Sequence, residues 1–200
     1  MSKNLWKTTL FLLVTFALCC GVAQAGDFPY VKQSNGTDMP MLMTKFHLTS
    51  EPLNGKFYVF GGSTEPTEAG PFSTQIYEYD IAGNTWTLKN GTLPYGILNT
   101  GGSPVVAPNN KIYISPDLGP LVNGGWGTHQ RIIEYDPATG VCAEKASFGQ
   151  NIWAVNLVKN SQGNIYAIGG WNGGTIKKIW KYDYTADTLT IDMEDSEFYI

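Results

Sequence analysis

The chain has 200 residues, with 13 basic and 17 acidic side chains, and its net charge of −4 makes nucleic acid an unexpected partner. Charged residues are 15% of it, against about 25% in average globular domains, and 23 residues are glycine where about 7% is usual. That balance argues against charged amphipathic helices and for short strands joined by tight turns.

At the N-terminus, Lys3 and Lys7 precede "TTLFLLVTFALCCGVA", an uncharged and mostly apolar run that closes on Ala23-Gln24-Ala25. A basic start, an apolar centre and a small-x-small end predict a signal peptide over residues 1–25, cleaved after Ala25, and so a secreted or periplasmic protein. The strongly apolar part, Leu10 to Cys20, is shorter than the roughly 20 residues needed to span a bilayer, so no stable membrane anchor is expected. Cleavage leaves 11 basic against 17 acidic residues, a net of −6, and Cys142 as the remaining thiol. One thiol builds neither an intrachain disulfide nor a cysteine metal cluster.

Residues 26–45 read as a lead-in containing one strand, "FPYVK". Within it "SNGTDMP" from Ser34 echoes "KNGTLP" from Lys89, and the second copy sits at the end of a repeat unit. The lead-in is therefore expected to act as the last strand of a preceding unit. Both copies carry a sequon, at Asn35 and Asn90, which is glycosylated only where the organism has the machinery.

Three units follow, over about 46–95, 96–149 and 150–200. "GKFYVFGG" at Gly55 returns as "NKIYISPD" at Asn110 and "GNIYAIGG" at Gly163, at intervals of 55 and 53 residues. Each is followed by a second recurring stretch: "QIYEYDIAGNTW" from Gln75, "RIIEYDPATGVC" from Arg131 and "KIWKYDYTADTL" from Lys178. In these, Asp80, Asp136 and Asp183 each stand six residues before Trp86, Cys142 and Leu189. The period-two alternation before each aspartate predicts a strand. The aspartate can close an Asx turn, and Asn84, Gly140 and Asp187 four residues on are types that tolerate positive φ. Adding the strands "FHLTSEPL", "GSPVVAP" and "IWAVNLV" gives each unit four short antiparallel strands, the pattern of a propeller blade.

These residues resemble the kelch repeat family, whose signature is a Gly-Gly pair after a hydrophobic-Tyr-hydrophobic strand, then Tyr-Asp, then Trp. Unit one carries His47, Gly61, Gly62, Tyr79, Asp80 and Trp86. Unit three keeps Gly169, Gly170, Tyr182 and Asp183, with Leu189 for the Trp; unit two keeps Tyr135 and Asp136, with Pro116-Asp117 for the glycines and Cys142 for the Trp. The resemblance implies an all-β, kelch-type β-propeller. Such rings close with four to eight blades, whereas three are present here, so a partial ring is expected, completed by further blades or by self-association.

Fold does not specify activity, and the informative places are the loops after the Gly-Gly strands. "LGPLVNGGWGTHQ" and "WNGGT" present Trp126, His129, Trp171 and Asn172 as candidate binding residues. They suit stacking on a sugar ring with amide hydrogen bonds; the competing expectation, and the favoured one, is that the tryptophans pack on neighbouring blades. Tyr79 and Trp86 are expected to be packing residues, His47 to satisfy a backbone group inside a blade, and Cys142 to be a buried, inert thiol. Two histidines 82 positions apart give no metal motif, and no nucleophile elbow is present, so neither metal nor cofactor is expected. The chain thus reads as an exported binding module for a protein or carbohydrate ligand. The alternative is the N-terminal part of a carbohydrate-active propeller, resembling galactose oxidase or the sialic acid mutarotases, with its active site on other blades.

Overall fold

The computed structural model of the protein describes residues 37–41, 43–64, 71–98, 100–120 and 126–194. The predicted signal peptide, the sequon at Asn35 and the "FPYVK" segment lie outside the described residues. Within them there is no helix, so none is long and apolar enough to cross a membrane.

Among the described residues, fourteen strands form three four-stranded antiparallel sheets and one hairpin. Blade 1 runs in order through β1 (His47–Leu48), β2 (Lys56–Phe60), β3 (Gln75–Asp80) and β4 (Thr85–Thr92). Blade 2 is formed by β5 (Val105–Val106), β6 (Ile112–Ile114), β9 (Arg131–Asp136) and β10 (Val141–Ser147), with the hairpin β7 (Leu118–Pro120) and β8 (Trp126–Thr128) inserted between its second and third strands. Blade 3 comprises β11 (Asn156–Lys159), β12 (Ile165–Ile168), β13 (Lys178–Asp183) and β14 (Thr188–Glu194).

Strand alternation in blade 2 builds two cores, one on each face. Ile112, Ile114, Ile133 and Tyr135 join Tyr58, Phe60 and Ile76 of blade 1. Tyr113 and Ile132, one residue out of phase, join Leu157, Ile165, Ala167, Trp180 and Tyr182 of blade 3. The other face of blade 3 carries the cross-strand sets Val158–Tyr166 and Ile168–Ile179–Met193. It remains open, with Val158 and Met193 41% and 49% exposed.

The turn between the third and fourth strands is the same device three times. Asp80 Oδ1 accepts from Gly83 N (3.0 Å), Asp136 Oδ1 from Ala138 N (2.9 Å), and Asp183 Oδ1 from Thr185 N and Ala186 N (2.8 and 3.0 Å). Asn84, Gly140 and Asp187 then take φ of 48°, 76° and 55°. Each turn also touches the strand before its blade. Gly140 abuts Gly91 of β4 so closely that a Cβ on Gly91 would lie 2.0 Å from the Gly140 oxygen, and Asp187 Oδ1 accepts from Ala146 N of β10 (2.8 Å). For blade 1 the partner is Thr37: its hydroxyl donates to the Asn84 carbonyl, and its own carbonyl accepts from Trp86 Nε1 at 3.0 Å. Thr37 therefore meets the turn of blade 1 as the end of β4 meets the turn of blade 2.

Candidate functional site: the loop face over the blade junctions

The loops after the second strands descend from the positions where the glycine pairs stand. Gly61, Gly62, Gly169 and Gly170 all have positive φ, and at Gly61 a Cβ would meet the Ile97 carbonyl at 2.6 Å. In blade 2, Pro116-Asp117 replaces the pair and the chain turns directly into the β7–β8 hairpin.

Trp126 opens β8 opposite Pro120; its side chain lies outside the described residues. His129 follows the hairpin. Its ring stacks face to face on Tyr95, with centroids 3.4 Å apart and planes 6° apart, and burial lowers its pKa against the Pro120 carbonyl. Its carbonyl accepts from Ile152 N (3.0 Å), and the next residue, Trp153, exchanges two backbone hydrogen bonds with Trp171 (3.2 and 2.9 Å). The backbone thus links His129 to Trp171 across the junction of blades 2 and 3. Trp171, on the short "WNGGT" loop, is 43% exposed. Asn172, also exposed, donates from Nδ2 to Gln150 Oε1 at 3.3 Å. Stacking on a ligand is therefore open to Trp171, while the His129 ring face toward Tyr95 is already occupied.

Beneath this rim lies a buried polar cluster that sequence inspection does not reveal. His47 Nδ1 donates to the Gly102 carbonyl at 3.1 Å, a backbone group of the second unit. Nε2 faces Asp117 Oδ2 at 3.5 Å without a hydrogen bond. Asp117 accepts from the Thr100 hydroxyl, from Thr100 N (2.9 Å) and from Leu118 N (2.8 Å). Burial pushes His47 down to about 4 and Asp117 up to about 6. Only the departure of Asp117 from the glycine pattern could have marked it.

A second buried carboxylate recurs between blades. Glu78 takes Lys56 (2.6 Å), Lys89 (2.9 Å) and the Tyr58 hydroxyl (3.0 Å); Glu134 takes Lys111 (2.8 Å) and the Tyr113 hydroxyl (2.7 Å). Burial alone would raise these carboxyls, but the donated hydrogen bonds outweigh it and hold both below the usual range. In blade 3 the cross-strand partner of the equivalent tyrosine, Tyr166, is Lys181. The repeat of Glu in "IYEYD" and "IIEYD" is the signal that could have found the pair.

Among the described residues no group of three or more His, Cys, Asp or Glu side chains is placed to hold a metal ion. Cys142 is half-buried against the first core, which pushes its thiol up to about 12 and leaves it un-ionised at neutral pH.

The kelch motif matches residues 47–90 and 160–188, and blades 1 and 3 present its Gly-Gly, Tyr-Asp and turn geometry. The first and third repeats match the kelch motif. The middle repeat escapes the pattern where Pro116-Asp117 and Cys142 stand, yet folds as a blade between two kelch blades. The solved structure of YjhT superposes with a TM-score of 0.63 at 14% identity, over 81% of this chain and 54% of YjhT. The chain therefore spans about half the length of that structure, and the likeness concerns the propeller fold. A search of curated proteins found no match.

Proposed function

We propose that this kelch propeller is an exported binding module, non-catalytic in these three blades, whose ligand meets the loop face over the junction of blades 2 and 3. The supporting observation is Trp171, a large aromatic 43% exposed on a two-glycine loop, with the Asn172 amide beside it. An exposed indole with a neighbouring amide suits a sugar ring, whose C–H face stacks while its hydroxyls take hydrogen bonds. An interaction role also agrees with the open apolar face of blade 3, since exposed apolar patches of this kind mark contact surfaces.

The test compares the exported chain with Trp171→Ala on a glycan array and by titration calorimetry. Saccharide binding that Trp171→Ala abolishes, with the melting temperature unchanged, is the expected result. Binding equal in both proteins would place the ligand elsewhere, and a variant that unfolds early would make Trp171 a packing residue after all. The alternative, that these blades are the N-terminal part of a carbohydrate-active propeller, predicts turnover of the bound sugar by the longer protein.

A further inference from the structure

The junction of blades 1 and 2 buries two titratable groups from different blades. His47 of β1 and Asp117 after β6 are both 0% exposed, and they face each other at 3.5 Å, Nε2 to Oδ2. The hydrogen positions follow from the surroundings. His47 Nδ1 lies 3.1 Å from the Gly102 carbonyl oxygen, which can only accept, so Nδ1 carries the hydrogen of the neutral ring. Nε2 is then a bare acceptor, and it faces another acceptor, Asp117 Oδ2, without a hydrogen bond. A buried acceptor pointed at a carboxylate is costly, and one added proton between the two atoms turns the repulsion into a hydrogen bond.

We propose that His47 and Asp117 share one proton, forming a clasp between blades 1 and 2 that closes when the proton binds and opens when it leaves. The carboxylate is prepared for it. Its Oδ1 accepts from the Thr100 hydroxyl and Leu118 N, and its Oδ2 accepts from Thr100 N, which leaves a site on Oδ2 aimed at Nε2. With burial setting Asp117 at about 6 and His47 at about 4, the proton rides on Asp117 between those values and the ring stays neutral. The other titratable groups nearby are Tyr95, which feels the charge of Asp117, and His129, whose backbone N–H donates to the Asp117 carbonyl at 3.3 Å. Burial disfavours the charged form of both. Asp117 immediately precedes the β7–β8 hairpin that leads to Trp126 and His129, so the clasp anchors one edge of the loop face whatever that face binds.

The experiment is an NMR titration of the isotopically labelled chain from about pH 4 to about pH 8, a range spanning both ordinary values. The expected outcome is a neutral His47 with Nδ1 protonated from about pH 5 upward, and one inflection near pH 6 shared by the Asp117 carboxyl carbon and His47 Nε2. In Asp117→Asn that inflection disappears from His47. An imidazolium forming near the ordinary value of about 6.5, a hydrogen on Nε2 instead of Nδ1, or a carboxyl titrating near its ordinary value of about 3.9 would each overturn the clasp. If Asp117→Asn fails to fold, the coincidence of the carbon and nitrogen inflections in the unaltered protein still decides.

Discussion

Three tyrosines that begin the turn device show how much one side chain decides. Tyr79 Oη donates to Asn84 Oδ1 at 2.7 Å and Tyr182 Oη to Asp187 Oδ1 at 3.1 Å, so the residue that supplies the left-handed φ also satisfies the hydroxyl. Blade 2 has Gly140 there, and the buried Tyr135 hydroxyl has no partner. Gly140→Asn should restore it: the φ of 76° suits Asn, and a Cβ meets nothing nearer than Gly91 N at 3.7 Å. A gain of about 1 kcal/mol is expected in denaturant unfolding, the usual worth of a buried hydrogen bond, whereas Gly140→Ala should lose stability. The clasp residues predict opposed pH slopes. Asp117 is raised, so its contribution is present below its ordinary value of about 3.9 and is lost as pH rises through about 6; His47 is lowered, so its contribution is present above about 6.5 and is lost as pH falls through about 4. The two offset each other in the intact protein. His47→Gln should therefore lose stability toward alkaline pH and Asp117→Asn toward acid, with slopes approaching about 1.4 kcal/mol per pH unit in thermal melts across that window.

At the scale of strands, the turn of each blade is docked on the strand that precedes the blade. Gly91→Ala should push β4 and the Pro137–Gly140 turn apart, since the new Cβ would sit 2.0 Å from a backbone oxygen that cannot swing aside. A loss of about 1–3 kcal/mol is expected, as for other overpacked sites, with the unfolding midpoint as the readout. Trp86 belongs to the same docking. It packs on Tyr79 with centroids 4.9 Å apart and bonds the Thr37 carbonyl, but it is only partly buried. Its removal should cost less than the roughly 3–5 kcal/mol of a fully buried tryptophan. Trp86→Ala that left stability untouched while removing ligand binding would place it in the binding surface instead.

For the whole molecule, the face blade 3 leaves open is the counterpart of the faces by which blades 1 and 2 grip their successors. Phe60 and Ile76 are 0% exposed where blade 2 covers them; Ile168 and Ile179, the matching cross-strand pair, are only partly buried. A sheet face of this kind gains by burial at about 25 cal/mol per Å², so residues 26–200 alone should self-associate at micromolar concentration. Static light scattering is the measurement, and Val158→Lys with Met193→Lys should shift the mass toward the monomer. A cooperative monomer of the unaltered chain would show that the open face needs no cover.

The repeat was legible because strands and turns are local: period-two apolar alternation sets a strand, and a left-handed residue at one fixed offset must be Asn, Asp or Gly. Twelve strands in three blades, and the turns between them, follow from these local rules. What the sequence could not hold is what depends on distant residues meeting. His47 and Asp117 are 70 positions apart, and their juxtaposition exists because β1 and the loop after β6 meet at a blade junction. The short β7–β8 hairpin is a local excursion with a weak pattern of its own. The 43% exposure of Trp171 depends on the tertiary surroundings of its loop and not on residue type. Burial of Glu78 and Glu134 likewise required two blades to close over them, because only then does a carboxylate on a strand leave water and need its lysines.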